Sequence, residues 1–373
     1  MSLSVVIAGG GTGGHLYPGI AVARELLSRM PDARVSFAGT ARGIEARVVP
    51  REGFELDVIR SAGLKGKSIT DRARGALLIP IGLVDAWRIV SARRPDLVIG
   101  VGGYSSGPVV LAASVRGVPA MLLEQNAVPG LTNRLLARFV KAAAVTFDET
   151  RAFFGSKAFV SGNPVRPEFL AAAMPQESAL NEHATVQVLV FGGSQGAHAI
   201  NVAMVEAAPR LAAGPPHFRL VHQTGDRDVE MVRTAYRDAG LQAEVEPFLY
   251  DMGRRLAAAD VVVSRAGATT LAETTAAGKA AILIPLPTAT DDHQRRNAEA
   301  LAAHGAAELL LQRDLTGAAL ADRIAALASD RERRARMASA ARSLARPEAA
   351  KVIVDRALAL IGGDRGRSSF AQR

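Results

Sequence analysis

The chain of 373 residues contains no cysteine. That excludes disulfides and thiolate chemistry and fits a reducing compartment. It also lacks any run of about 18 apolar residues, so no segment is expected to span a bilayer as a helix. Met1-Ser2-Leu3-Ser4 carries no basic side chain and leads straight into a strand-like run, so no signal peptide is expected there. Tryptophan occurs once, at Trp87. Acid is in short supply: 36 Asp and Glu stand against 45 Lys and Arg, a formal net charge of +9. Such an excess points to an anionic partner, which is a nucleotide, a phospholipid surface or nucleic acid. Hydrophobic residues make up 49% of the chain, enough for two domains of about 150 residues each to bury a core.

What is abundant is glycine at two places. Val5-Val6-Ile7-Ala8 has the length and branching of a buried strand, and Gly9-Gly10-Gly11-Thr12-Gly13-Gly14-His15 follows it. Apolar residues at helical spacing come next, from Ile20 to Leu27. Glycines at such a bend let the backbone approach a ligand, and the following helix turns free N–H groups and its positive end toward an anion. The unit recurs: Val188-Leu189-Val190-Phe191 runs into Gly192-Gly193-Ser194-Gln195-Gly196-Ala197-His198. Two similar halves are therefore expected, with both loops serving one ligand region.

Short apolar runs alternate with helical stretches elsewhere. Val35 to Ala38, Leu97 to Val101, Ala120 to Leu123, Leu220 to Gln223, Asp260 to Ser264 and Ala281 to Pro285 read as strands. This is the pattern of a doubly wound parallel α/β sheet, whose ligands sit beyond the carboxyl ends of the strands. Gly102-Gly103-Tyr104 and Glu124-Gln125-Asn126 fall at such ends. Residues 60–94 carry eight basic and two acidic side chains, a net of +6, around the apolar run Ala76 to Val84 and Trp87. They suit either an interfacial membrane patch with a basic rim or a core helix with a solvated flank. Ser161 to Pro167 reads as a linker. The chain is helical from about Asp330, and Gly362 to Arg373 is expected to fray.

Several motifs point elsewhere and are incomplete. Gly9-x-Gly11-x-x-Gly14 fits the dinucleotide fingerprint, but the next strand ends in Gly39-Thr40 rather than in an acid for a ribose. Gly192-x-Ser194-x-Gly196 matches a nucleophile elbow, yet the first copy has glycine where Ser194 stands, which favours a shared anion-binding role. Gly66-Lys67-Ser68 lacks the opening glycine of a P-loop. Asp226, Asp228, Asp291 and Asp292 suggest a divalent ion only weakly, since no third ligand is evident. His15 is either a proton acceptor kept neutral by its helix N-terminus or a structural hydrogen-bonding group.

Taken in order, these stretches resemble one family over nearly the whole chain: the bacterial N-acetylglucosaminyltransferases of peptidoglycan synthesis, which make lipid II from lipid I. The resemblance rests on Gly10 to His15, Gly102 to Pro108, Glu124-Gln125-Asn126, Gly162 to Arg166 and Gly192 to Ala197. It continues through His222-Gln223-Thr224-Gly225, Ser264 to Ala268 and Gln294 to Asn297. It implies the GT-B architecture, two Rossmann-like domains whose parallel sheets face a cleft. Their implied extents are 1–163 for an acceptor and membrane-side domain and 164–341 for a UDP-GlcNAc domain, with a final helix at 342–373 returning to the first.

The resemblance further implies inverting transfer from UDP-GlcNAc to the MurNAc 4-hydroxyl of undecaprenyl-pyrophosphoryl-MurNAc-pentapeptide at the cytoplasmic face of an anionic membrane. Neither metal, cofactor nor nucleic acid is implied. Ser194 and its loop would hold the diphosphate with Arg166, and Leu249 would meet the uracil through its backbone. Glu273 would hold the ribose, in a pocket shaped by Ala268, Thr269, Thr270, Leu271 and Ala272, and Gln294 would contact the sugar. Thr12, Gly13, Gly14 and Asn126 would face donor sugar and acceptor. Gly102, Gly103 and Tyr104 would cradle the lipid pyrophosphate, with Asn133 also on the acceptor side. His15 is the expected general base and Glu124 the alternative. His293 stands where family members often carry a glutamine, so its role stays open. Two other classes share the architecture: a UDP-hexose transferase acting on diacylglycerol, and a UDP-sugar 2-epimerase, which would need paired acid/base carboxylates.

Overall fold

The computed structural model describes residues 2–61, 69–171, 185–193 and 195–370, with backbone alone at 69–77, 79, 167, 171 and 363–370. The chain forms two compact units, Met1–Val165 with Arg346–Arg373, and Arg166–Ala345.

The first unit is built on strands β1 (Ser4–Gly9), β2 (Arg34–Gly39), β3 (Glu55–Val58), β4 (Leu97–Gly102), β5 (Ala120–Glu124), β6 (Ala142–Val145) and β7 (Ala158–Val160). They pair in the order β3-β2-β1-β4-β5-β6-β7, every pair parallel. All residues of β1 and β4 are buried, which is why their sequences read as unbroken apolar runs rather than alternating ones. One face of the sheet is covered by the helix Gly13–Arg29 and the helix Ala349–Phe370, whose Ile353, Val354, Ala357 and Ile361 share a core with Ile20 and Ala23. The other face carries Ala86 and Val90 of the helix Ile69–Arg93 and Val109 and Val110 of the helix Ser106–Val115. The stretch expected to fray is helical as far as Phe370.

The second unit repeats the plan. Its strands are β8 (Val186–Phe191), β9 (Phe218–Gln223), β10 (Gln242–Glu246), β11 (Val261–Ser264), β12 (Ala280–Leu283) and β13 (Glu308–Leu309). Their order is β10-β9-β8-β11-β12-β13, again all parallel. In each sheet the order reverses beside the first strand, between β1 and β4 and between β8 and β11. That reversal is where open α/β sheets bind ligands, and both glycine loops leave from it. A register shift between Ala8 and Gly9 brings Gly9 opposite Gly102, so the two glycine stretches of the first unit lie side by side.

The stretch Ser161 to Pro167 is not an exposed linker. Ser161, Gly162, Asn163 and Pro164 are buried, and the unit boundary falls after Val165. The helix Ile69–Arg93 combines both of its expected characters: Ala86 and Val90 are buried, while Ile81, Val84 and Trp87 are 37%, 49% and 47% exposed. Lys65 and Lys67 of its basic flank, and the incomplete P-loop at Gly66 to Ser68, lie outside the described residues. So do the side chains of Ala76, Leu77 and Ile79. Among the described residues no helix is long and apolar enough to cross a membrane.

Candidate functional site

In the first unit, Thr12 precedes the helix Gly13–Arg29 in an extended conformation, and its carbonyl accepts from the N–H groups of His15 and Leu16. His15 therefore sits in the first turn, with Nδ1 3.3 Å from Thr12 Oγ1. The Cδ2–Nε2 edge of its ring lies against Gly102, which has φ +95°. A Cβ at residue 102 would come within 2.9 Å of that ring. Glycine is needed at residue 102 both for its left-handed backbone and for the imidazole packed on it.

Glu45 holds the loop from the other side, and sequence reasoning passed it over. Its carboxylate accepts from Gly11 N–H at 2.8 Å, and from Thr40 N–H and Oγ1 at 2.8 Å each. Burial alone would raise its pKa, but these bonds outweigh burial and hold it below the ordinary carboxylate value. The missing acid at the end of β2 is thus supplied six residues later and spent on the protein's own amides and the Thr40 hydroxyl. A dinucleotide ribose has no carboxylate to meet there.

Glu124 ends β5, buried at 2% exposure. One oxygen accepts from Asn126 N–H at 3.0 Å and Asn126 Nδ2 at 3.3 Å; the other accepts from Gly130 N–H at 3.0 Å and Asn133 Nδ2 at 2.8 Å. Burial pushes its pKa up in spite of these donors. Asn133 also donates to the Leu123 carbonyl at 3.0 Å, so Glu124, Asn126 and Asn133 fold one turn among themselves. Tyr104 stands in the turn after β4 and is 48% exposed.

In the second unit, the loop after β8 is pressed onto the end of β9. Gly196 has φ +71°, and a Cβ there would lie 1.8 Å from the Thr224 carbonyl oxygen, so no other residue fits. Ser194 lies outside the described residues. Beneath the loop is a polar network that joins Asp228 and the motif residues His198, His222 and Thr224 to Asn201 and Tyr236, which sequence reasoning passed over. Asn201 donates to the Thr224 carbonyl at 2.9 Å and to Asp228 at 2.8 Å, and its own carbonyl meets His222 Nε2 at 3.0 Å. Since that partner only accepts, Nε2 carries the proton, and Nδ1 accepts from the Tyr236 hydroxyl at 2.8 Å. Burial drives the His222 pKa down to about 3 and keeps the ring neutral. His198 Nδ1 contacts Asp228 at 2.9 Å.

The helix that follows β11, the neighbour of β8 in the sheet, carries half of a pair that sequence reasoning named separately. Glu273, in the helix Ala268–Ala276, accepts from Arg166 Nη2 at 2.9 Å and Nε at 3.2 Å. Arg166 stacks 4.5 Å over Phe169 and reaches Glu168 at 3.3 Å. Burial pushes the Glu273 pKa up to about 7 against the pull of the guanidinium. Ala268 to Ala272 form the first turns of the same helix. Gln294 accepts, through Oε1, from Ala266 N–H at 3.3 Å and Leu286 N–H at 3.0 Å. Arg265, which burial lowers to about 10, ties the same turn to the carbonyls of Ile284 and Pro285. Leu249 is buried between exposed Phe248 and Tyr250. Asp291 and Asp292 adopt left-handed φ of 54° and 55° before His293, whose Nδ1 bonds the Thr290 carbonyl. Asp292 is paired with Arg295. Among the described residues no three His, Asp or Glu side chains gather as a metal site.

The glycosyltransferase family 28 N-terminal domain matches residues 5–145, and the family 28 C-terminal domain matches residues 187–353. A UDP-N-acetylglucosamine–N-acetylmuramyl-(pentapeptide) pyrophosphoryl-undecaprenol N-acetylglucosamine transferase of Anaeromyxobacter sp. (strain K) is 49% identical over 96% of this chain and 93% of its own length. The enzyme of the same name from Myxococcus xanthus is 48% identical over 95% of this chain and 92% of its own length. The crystal structure of MurG from Acinetobacter baumannii superimposes with a TM-score of 0.78 at 33% identity, covering 95% of this chain and 98% of that one. Two parallel-sheet Rossmann-like units with paired glycine loops match the GT-B glycosyltransferases, and the chain belongs to family 28 and, within it, to the family of the pyrophosphoryl-undecaprenol N-acetylglucosamine transferases.

Proposed function

We propose that this chain transfers GlcNAc from UDP-GlcNAc to the MurNAc 4-hydroxyl of lipid I, giving lipid II for peptidoglycan, with inversion and without metal or cofactor. The observation that carries the donor side is the Arg166–Glu273 pair, whose Glu273 lies in the helix after β11, the strand paired with β8 and its glycine loop at the switch point of the second sheet. A buried carboxylate suits two vicinal ribose hydroxyls, and a guanidinium suits a diphosphate. When UDP enters, Glu273 takes the ribose. Arg166 joins Ser194, its loop and the start of the helix His198–Ala212 on the phosphates. The Leu249 N–H is engaged within the protein, so its carbonyl is the group left for the uracil N–H. The Gln294 oxygen is engaged too, so its amide nitrogen donates to sugar hydroxyls, in the pocket shaped by Ala268, Thr269, Thr270, Leu271 and Ala272.

The first unit takes the acceptor. Gly102, Gly103 and Tyr104 cradle the lipid pyrophosphate, while Thr12, Gly13, Gly14 and Asn126 face the sugars. The attacking hydroxyl must lose its proton as the bond to the anomeric carbon forms, and His15 is the acceptor we assign. Glu124 and Asn133 serve by shaping the turn that presents Asn126, since each is already bonded on its inner side. Exposed Ile81, Val84 and Trp87 rest on an anionic membrane at its cytoplasmic face, where a lipid-linked acceptor resides. No nucleic-acid partner is proposed.

Radiolabelled UDP-GlcNAc with a lipid I analogue tests the proposal. Label should move to a lipid-linked disaccharide with release of UDP. Transfer to diacylglycerol instead, or label appearing as a free epimerised sugar nucleotide, would replace it with one of the other two classes.

A further inference from the structure

Gln223 closes β9 and is buried at 2% exposure. Its carboxamide is used at both ends. The nitrogen donates to the Gly193 carbonyl at 2.7 Å, and the oxygen accepts the Leu249 N–H at 3.1 Å. Gly193 belongs to the loop after β8, and Leu249 to the segment after β10, 30 and 26 residues away along the chain on either side. The amide is planar, so its two ends sit at one fixed separation.

We infer that Gln223 is a positioning residue that fixes the spacing between the diphosphate loop and the backbone facing the uracil, so that one nucleoside diphosphate meets both. The inference rests on reading this unit as the UDP site. Only a side chain with a donor at one end and an acceptor at the other makes both bonds. An ionised carboxylate keeps the bond to Leu249 but sets two acceptors facing each other at Gly193. A thioether of equal length makes neither. The other ties in this region do not replace it. The Thr224 carbonyl packs on Gly196 and Asn201 supports Thr224, while the Gly225 N–H holds the Pro247 carbonyl at 3.1 Å; these tie the loop to β9 and β9 to the segment after β10, whereas the Gln223 side chain bonds the loop and Leu249 directly.

The test is UDP calorimetry on the full chain, with melting curves run beside it to confirm that the variants are folded at the measuring temperature. Gln223→Met should weaken UDP at least about tenfold, because both bonds are lost in a buried setting. Gln223→Glu supplies a second reading if Gln223→Met folds poorly. A protonated carboxyl donates to Gly193 and accepts from Leu249, so this variant should bind UDP like the parent at about pH 6 and fall behind as its buried carboxyl ionises toward about pH 9. Because UDP and Glu273 titrate in both proteins, the ratio of parent to variant affinity isolates the new proton. A role confined to folding would not couple the affinity of folded molecules to it. Folded Gln223→Met binding UDP within about twofold of the parent, or a Gln223→Glu ratio flat with pH, overturns the inference and leaves the UDP reading intact. A parent that binds no UDP overturns that reading, and the inference with it.

Discussion

Raising the pH should tighten uridine and UDP binding through Glu273. Its pKa stands at about 7 because burial penalises the charge more than Arg166 relieves it. Two ribose hydroxyls donating to the carboxylate would favour the ionised form. If they return the group to its ordinary value of 4.5, binding and ionisation are linked. The affinity at pH 8 should then exceed that at pH 5.5 by roughly 30-fold, on the order of 2 kcal/mol. At pH 6.5 about three-quarters of a proton should be released for each ligand bound. Calorimetry in two buffers of different ionisation enthalpy reads that proton directly. Uridine is the better probe, because the terminal phosphate of UDP titrates in the same range. Glu273→Gln should bind weakly and with no pH dependence. Glu273→Ala should weaken UDP by about 1.5–3 kcal/mol, the range for bonds to a charged group, and should no longer distinguish UDP from its 2′-deoxy analogue. Flat affinity, or proton uptake in place of release, would refute the assignment of Glu273 to the ribose.

The same group sets a stability trend in the ligand-free protein. A carboxyl whose folded pKa is raised contributes stability in full below its unfolded value of 4.5 and loses it as pH climbs through about 7; melting of the parent should drop over that window more than melting of Glu273→Gln. His15→Ala and His15→Asn should each lower kcat by about 10²–10⁴, the span of general-base catalysis, with UDP affinity unchanged; near-parental turnover by the asparagine variant would make His15 structural. Transfer should persist in excess EDTA, since Arg166 and a helix N-terminus offset the leaving diphosphate; loss that magnesium restores would return attention to Asp226, Asp228, Asp291 and Asp292. The protein should sediment with anionic vesicles and leave them in high salt, and Val84→Asp with Trp87→Asp, side chains that are each about half exposed, with Trp87 also stacked against Arg116, should abolish this at temperatures where the melting curve shows the variant folded; unchanged sedimentation of that double variant would dismiss the patch.

What could be read from the sequence was what neighbouring residues decide together. A β-branched run, a cluster of glycines and a helical period are contiguous, so β1 and β8 with their loops stand out, as do the central strands β4, β5, β9 and β11. Edge strands do not. β3 and β10 are partly exposed and carry charged side chains, so their composition resembles loop. The contacts that set the shape of the site were hidden for a different reason. Glu45 reaches Gly11 across 34 residues, and Gln223 reaches Gly193 across 30. Such pairs become neighbours only once parallel strands are laid in order, and a lone Glu or Gln in sequence gives no hint of which amide it will meet. Arg166 and Glu273 were each identifiable by resemblance, but their mutual bond spans 107 residues and could not be anticipated.

The closing helix Ala349–Phe370 has one more consequence, and it concerns synthesis. It completes a core begun by Leu16, Ile20 and Ala23, and Asp355 pairs with Arg29. The first unit is therefore interrupted, its last piece being translated only after Arg166–Ala345. A nascent chain emerging in order must carry the apolar side of the helix Gly13–Arg29 uncovered while the second unit is made and folds. For that interval the newborn protein is a client for chaperones, and a ribosome stalled before Ile353 would release a molecule with an intact second unit and a first that cannot close.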